Sequence, residues 1–316
     1  MSRPAFTRFF EARHYDLAGT LSSGQVFRWQ RHGAAWVGVV GQRWVRLRAE
    51  RNGIAAETAT PTRDWQWLAR YLQTDVDLDV ILPTFPDDPP MHAAVAACRG
   101  LRLLRQDPWE CIGSFILSST KQVVQIRQIV ALLCERYGEP VPTPRGHPPA
   151  FAFPTPERLA SVAESELRRC KMGFRAPNLL ATAHAIAQGE FDLGHLHELP
   201  FSAARRELMT LPGVGPKIAD CVLLFACGFP TAFPMDVWVL KALRQLYFPR
   251  RHPTLKRLRH FAETHFGPYA GYAQQYLFHY MRMHHALRNR PASRDEEADV
   301  HGATESAASR RQLQKL

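Results

Sequence analysis

Leu211-Pro-Gly-Val-Gly-Pro-Lys217-Ile-Ala-Asp-Cys221 joins two stretches of helical spacing, Ala203 to Thr210 and Pro216 to Cys227. Gly213 and Gly215, on either side of Val214, permit φ > 0 and leave backbone N–H groups uncovered where the second helix begins. Such a hairpin either accepts a phosphate-sized anion or is simply a tight turn. Pro216 suits the first helical position, where its missing N–H costs nothing.

Lys217 is out of place on stability grounds, because a cation in the first turn opposes the helix dipole by about 0.3–1 kcal/mol. A lysine kept there despite that cost suits nucleophilic attack on carbon, which needs the neutral amine. The other reading is a phosphate contact beside a core thiol, since Cys221 lies four residues on and shares the same helix face. Nineteen residues after Lys217, Phe233-Pro-Met-Asp236-Val-Trp238 precedes a helical pattern from Val237 to Tyr247. Asp236 can cap that helix, for about 1 kcal/mol, or act as a carboxylate partner to the lysine. From Val237 to Ala262 the chain has seven basic residues (Lys241, Arg244, Arg250, Arg251, Lys256, Arg257 and Arg259) and no acidic one. The run is either a phosphate-contacting surface or a solvated basic face.

Upstream, Gly24 to Arg48 alternates apolar and polar residues between glycine punctuation, which predicts an antiparallel meander starting at Gly24. Asp64 to Leu72 has helical spacing, and Pro83 to Pro90 is a segment no helix can cross. The chain is therefore expected to be α+β: an N-terminal antiparallel unit over 1–86, a helical unit over 87–288 and a disordered tail over 289–316. In the helical unit the spacing predicts helices at Met91 to Cys98, Pro108 to Leu117, Val123 to Tyr137, Pro156 to Ala163, Glu164 to Cys170 and Ala176 to Gln188. The proline-rich stretch Glu139 to Pro156 is expected to form neither ladder nor helix.

The 316 residues, 46% hydrophobic and 22% charged, suit two or three packed units and exclude wholesale disorder, collagen and coiled coil. No apolar run reaches the roughly 20 residues of a membrane span, and Met1 to Arg13 lacks a secretory pattern, so an intracellular monomer is expected. The net charge of +11 points to a polyanionic partner. The tail carries five basic and five acidic residues, so the whole excess belongs to 1–288. Six cysteines without a C-x-x-C pair read as buried thiols, and His279, His284 and His285 as packing or surface residues, so no metal or cofactor is expected.

The lysine and aspartate paired across this hairpin resemble the helix-hairpin-helix DNA glycosylase superfamily. Ser23-Gly-Gln-Val-Phe-Arg-Trp29, Leu103-Leu-Arg-Gln-Asp-Pro-Trp-Glu-Cys111, Phe115-Ile-Leu-Ser-Ser119, Met172-Gly-Phe-Arg175, the hairpin itself and Ala273-Gln-Gln-Tyr-Leu-Phe278 are similar, in that order, to the 8-oxoguanine DNA glycosylase/lyase family. The lack of four cysteines after the hairpin separates the chain from the iron-sulfur branches. The resemblance implies excision of 8-oxoguanine from duplex DNA. Lys217 would be the Schiff-base nucleophile and Asp236 its electrostatic partner. Gly24 would approach the lesion's N7–H through its backbone carbonyl. Cys221 and Phe278 would sandwich the flipped base, Gln274 would read its Watson–Crick edge and Phe225 would line the pocket. Phe174 would be the wedge, with Arg175 beside it. Gly213, Val214, Gly215, Trp238, Lys241 and Arg244 would meet DNA phosphates.

The chain departs from the family at Thr120, Lys121 and Gln122, where an Asn commonly fills the vacated stack, at Gln125 in place of a basic residue, and at Trp238 in place of His. Thr120 is too short to fill the hole, so weaker discrimination for cytosine opposite the lesion is expected. The alternatives left by the residues alone are a monofunctional alkyl-base glycosylase and a non-catalytic DNA-binding module.

Overall fold

The computed structural model describes residues 5–119 and 121–288, so the expected tail and Thr120 lie outside the described residues. Residues up to Met281 form one compact unit. Its N-terminal part comprises β1 (Ala5–Glu11), α1 (Leu17–Ser22), β2 (Gln30–His32), β3 (Ala35–Val40), β4 (Arg43–Glu50), β5 (Gly53–Thr62) and α2 (Gln66–Leu72). The strands form one antiparallel sheet in the order β1-β5-β4-β3-β2. Residues two apart share a face, and Val45, Leu47, Ile54, Ala56 and Phe10 accordingly form one apolar layer. It packs with Leu21, Trp29 and the Leu68 and Leu72 side chains of α2.

The meander is shorter than expected at its start. Residues 24–29 form an irregular loop, and the ladder begins only at Gln30. The backbone there is used differently: the Ser23 carbonyl accepts from Gln275 Nε2 at 3.4 Å, and the Gln25 carbonyl accepts from Gln106 Nε2 at 2.6 Å. Sequence spacing also gave no sign of β1 or β5, whose pairing extends the sheet beyond β4.

The remaining elements are α3 (Leu78–Ile81) with a 3₁₀ turn at Leu82–Thr84, α4 (Pro89–Ala97), α5 (Pro108–Ser118), α6 (Val123–Tyr137), the strand pair β6 (Pro140–Val141) and β7 (Ala150–Phe151), α7 (Pro156–Ala160), α8 (Glu164–Leu167) and α9 (Ala176–Ala187). They are followed by α10 (Phe201–Leu208), α11 (Pro216–Val222), α12 (Val237–Ala242), α13 (Leu255–His265) and α14 (Ala270–Arg288). Many of the prolines sit at helix starts. Asp88, Asp107 and Thr155 each precede a proline at the first helical position and accept an N–H two residues beyond it, from Met91, Glu110 and Arg158 respectively. Each cap contributes about 1 kcal/mol.

The proline-rich stretch corrects the sequence expectation. It does form a ladder, Pro140 opposite Phe151 and Val141 opposite Ala150. The pair is only two residues long, and a flanking bond from Ala152 N–H to the Glu139 carbonyl at 2.8 Å needs no proline donor. Val141 and Ala152 then cover Val39 and Trp44 on the outer face of the sheet. The helix expected over Glu164 to Cys170 also ends early, because Lys171 takes φ 63° and turns the chain toward Met172–Arg175. α11 and α12 each relax into a wider turn, Leu223–Cys227 and Leu243–Tyr247, that completes the length expected of them.

Candidate active site

The hairpin places α10 and α11 side by side, and a paired ion clasp fixes them. Arg205 Nε and Nη2 donate to Asp220 Oδ1 and Oδ2 at 2.6 and 3.1 Å. Burial raises the Asp220 carboxyl above the usual carboxylate range, and Arg205 pulls against that shift. Gly213 has φ +79°, and a Cβ there would come within 2.7 Å of Asn178 Cβ. Both the dihedral and the close approach require glycine. Gly215 caps α11 and has nothing within 4 Å of where a Cβ would stand, which leaves room for a ligand against the loop. Thr182 Oγ1 donates to the Pro212 carbonyl at 3.0 Å and holds the hairpin on α9.

Lys217, half-buried in the first turn of α11, reaches across to α5. Its Nζ donates to Ser118 Oγ at 3.1 Å and stands 4.9 Å from the centre of the Phe115 ring. Ser118 in turn donates its own proton to the Phe115 carbonyl at 2.7 Å, so its oxygen is oriented as an acceptor for the amine. Phe115 stacks on Phe225 at 5.8 Å and meets the edge of Phe27 at 5.5 Å. The lysine thus lies over an aromatic column built from the N-terminal unit, α5 and the turn after α11. Sequence reading quoted Ser118 within a motif but assigned it no role. The available signal was a small polar residue directly after the apolar run Phe115-Ile-Leu.

Cys221 is buried one turn beyond Lys217, and burial pushes its thiol up to about 12, with Lys217 opposing and Asp236 reinforcing the shift. The thiol is therefore neutral and behaves as an apolar surface. Asp236 caps α12, accepting from Trp238 and Val239 N–H at 2.9 and 2.8 Å. Both bonds fall on Oδ1.

Gln274 and Phe278 lie four residues apart on one face of α14. Gln274 is 3% exposed, and its Oε1 has no hydrogen-bond partner. A buried amide oxygen left so costs about 1–3 kcal/mol, and a ligand donor would recover that energy. Its neighbour Gln275 bonds the Ser23 carbonyl, which sets α14 against the Gly24 loop. Gly24 itself takes φ +84°. The next residue, Gln25, is wholly buried and fully used: Nε2 donates to the Thr20 and Arg102 carbonyls and to Ser23 Oγ, and Oε1 accepts from Leu104 N–H at 2.7 Å.

The expected DNA-side residues divide into two kinds. Phe174 is 62% exposed, and Arg244 and Gln122 are exposed, while Lys121, Trp238 and Lys241 are half-buried. Lys241 Nζ lies 5.4 Å from the Trp238 ring centre. Arg175 is buried; its guanidinium, 4.2 Å from the Phe174 ring, bonds the carbonyls of Met172 and Ser119 and so braces both Phe174 and the end of α5. Gln125, at the position of a basic residue in the resemblance, accepts from Gln122 N–H at 3.1 Å and caps α6. Among the described residues no group of three His, Cys, Asp or Glu is placed to hold a metal ion, and no helix is long and apolar enough to cross a membrane.

Known proteins resemble this chain over most of its length. Residues 9–112 match the family model of the 8-oxoguanine DNA glycosylase N-terminal domain, and residues 114–268 match that of the HhH-GPD superfamily base excision DNA repair proteins. A probable N-glycosylase/DNA lyase of Methanothermobacter thermautotrophicus is 32% identical over 63% of this chain and 69% of its own length. The N-glycosylase/DNA lyase OGG1 of Arabidopsis thaliana is 30% identical over 82% of this chain and 75% of its own length. The Clostridium acetobutylicum 8-oxoguanine glycosylase/lyase, solved with double-stranded DNA carrying cytosine opposite 8-oxoguanine, superposes with a TM-score of 0.81 at 29% identity. The match covers 88% of this chain and 98% of that one.

Proposed function

Since the chain belongs to the 8-oxoguanine DNA glycosylase family of the helix-hairpin-helix superfamily, we propose that it excises 8-oxoguanine from duplex DNA and then cleaves the strand at the abasic site. The Lys217 amine forms a bond to C1′ as the glycosidic bond breaks, and the base leaves with its electron pair and is protonated. Ring opening gives an imine between Lys217 and C1′. The imine makes the C2′ proton acidic; its removal expels the 3′ phosphate, and water then frees the lysine. Asp236, with Oδ1 holding the start of α12, stabilises the positive charge that develops on the sugar.

The flipped base enters between Phe278 and the neutral Cys221, with Phe225 lining the pocket. Gln274 Oε1 meets the donor edge of the base, and the Gly24 carbonyl meets the lesion's N7–H. Extruding a base costs a few kcal/mol, which these contacts and the exposed Phe174, acting as a wedge, offset. The hairpin backbone of Gly213, Val214 and Gly215, with Lys121, Gln122, Trp238, Lys241 and Arg244, holds the phosphates. Arg175 acts by bracing Phe174.

The observation that carries this reading is the Lys217 amine, held by Ser118 over the Phe115 ring at the mouth of the hairpin. Borohydride trapping on a duplex containing 8-oxoguanine tests it. The wild-type protein is expected to give a covalent DNA adduct and Lys217→Gln none. Excision that survives Lys217→Gln but needs Asp236 would mean a monofunctional enzyme, and binding with no excision at all a non-catalytic module.

A further inference from the structure

The turn Leu223–Cys227 has two sides. Phe225 faces Phe115, whereas Leu224, together with Gly228, lines a separate cavity of about 360 Å³. Lys217, Asp236 and Gln274 take no part in its walls, which are mainly apolar: Val76, Val80, Leu103 and Tyr269. Gln73, Asp77, Arg105 and Tyr272 interrupt them. Arg105 lines the cavity with its guanidinium packed against Gly228, and its Nη1 is buried with no hydrogen-bond partner. Tyr272, 6% exposed, also lines it, and its hydroxyl has no acceptor for its proton. The one carboxylate in the lining, Asp77, is engaged in capping α3 through Asp79 N–H at 2.9 Å.

A cationic donor without a partner and a phenol proton without an acceptor in one apolar cavity are costly unless a ligand meets both. Their chemistry selects the ligand. A guanidinium fork matches a carboxylate in two parallel bonds, and a single cation with Asp77 nearby disfavours a dianion such as a phosphate ester. The apolar walls require a hydrocarbon body. We propose that this cavity is a binding site for a small amphipathic monocarboxylate, its carboxylate on Arg105 and Tyr272 and its ring or branched chain against Val76, Val80 and Leu224. The site is separate from the base pocket, and the proposal does not depend on the excision chemistry.

Calorimetric titration of the intact protein with benzoate, and with neutral benzamide as its isostere, tests the assignment. Benzoate is expected to bind saturably, and benzamide at least about tenfold more weakly, because the charge-assisted bonds are lost. Arg105→Met is expected to weaken benzoate by a similar factor and Tyr272→Phe by about threefold. Val80→Trp, placed at a rim position that is 61% exposed, is expected to block entry without disturbing the interior. Equal affinity for benzoate and benzamide, no saturable binding of either, or unchanged benzoate binding in Val80→Trp would each overturn the proposal. Because Val80 is exposed, that last variant keeps the test decisive if Arg105→Met fails to fold.

Discussion

Two buried glutamines, Gln25 and Gln274, are treated in opposite ways. Gln25 spends its whole amide on the chain itself, bonding four groups from Thr20 to Leu104. Gln274 is almost as deeply buried, yet its oxygen meets nothing. A buried polar atom left unsatisfied costs about 1–3 kcal/mol, so a sequence shaped by stability alone would place leucine or methionine at 274. The contrast extends outward. Around Gln25 the polar groups tie the chain to itself, as in the Arg28–Glu110 ion pair at 3.6 Å that joins the N-terminal loop to α5. Gln274 belongs with the lysine, the neutral thiol and the exposed wedge in the proposed site. One set of polar groups holds the chain together, and the other waits for DNA.

If that division is right, variants in the two sets should fail in different assays. The largest effect is expected from Lys217→Gln: loss of the trapped adduct and a fall in excision of about 10⁴-fold or more, with the unfolding midpoint nearly unchanged because one hydrogen bond to Ser118 is lost. A large drop in stability accompanying the lost activity would erase the contrast. Gln25→Leu should do the reverse. It strands the Leu104 N–H and the Arg102 carbonyl, and chemical denaturation should show a loss of about 2–5 kcal/mol. Gln274→Leu is the sharpest test, because it removes the orphaned oxygen. Stability should hold or rise by up to about 1 kcal/mol while 8-oxoguanine excision falls about 10- to 100-fold. If Gln274→Leu is instead destabilised, the oxygen has a structural duty and the comparison fails.

Ser118→Ala is expected to act more gently, slowing single-turnover excision about five- to tenfold, the worth of one net hydrogen bond. Ser118 positions the amine without touching DNA, so the loss should appear in the chemical step with duplex affinity preserved, and Ser118→Thr should restore much of it. An equal loss of duplex affinity would show that the serine acts by shaping the surface instead.

How much of this was legible in the residues depended on how local each signal was. The hairpin turn, the Asp236 cap and most helix starts follow from side chains within four positions of one another and are legible in the sequence, whereas the caps at Asp88 and Asp107 emerge only in the structure. The pairing of Lys217 with Asp236 rests on the resemblance of that nineteen-residue spacing to the superfamily, since the residues alone left capping as an equal reading. Ser118 is 99 residues from Lys217 in sequence and was given no role, because only the packing of α5 on α11 brings them together. The same holds for Arg205 and Asp220, whose clasp depends on the crossing of two helices. β1 was missed because its pairing with β5 joins residues up to 57 positions apart, and a one-sided edge strand alternates weakly. The proline rule overreached at Pro140: it forbids a donor at one position but not a two-residue ladder whose bonds come from its neighbours.

The smallest effect concerns the space the flipped base leaves behind. Thr120 follows directly on Ser119, whose carbonyl Arg175 holds, so the backbone just before it is braced while its side chain is short and has only a hydroxyl. An amide there would both fill more of the gap and offer a donor and an acceptor to the opposite base, whereas a threonine offers one hydroxyl that suits several bases about equally. Excision of 8-oxoguanine opposite cytosine and opposite adenine is therefore expected to differ little in the wild type. Thr120→Asn should raise the cytosine preference by about threefold, the worth of one modest hydrogen bond. Single-turnover rates on the two duplexes measure it. A strong cytosine preference in the wild type would mean that specificity for the opposite base is supplied elsewhere on the DNA face, with Arg175 and the exposed Phe174 the first places to look.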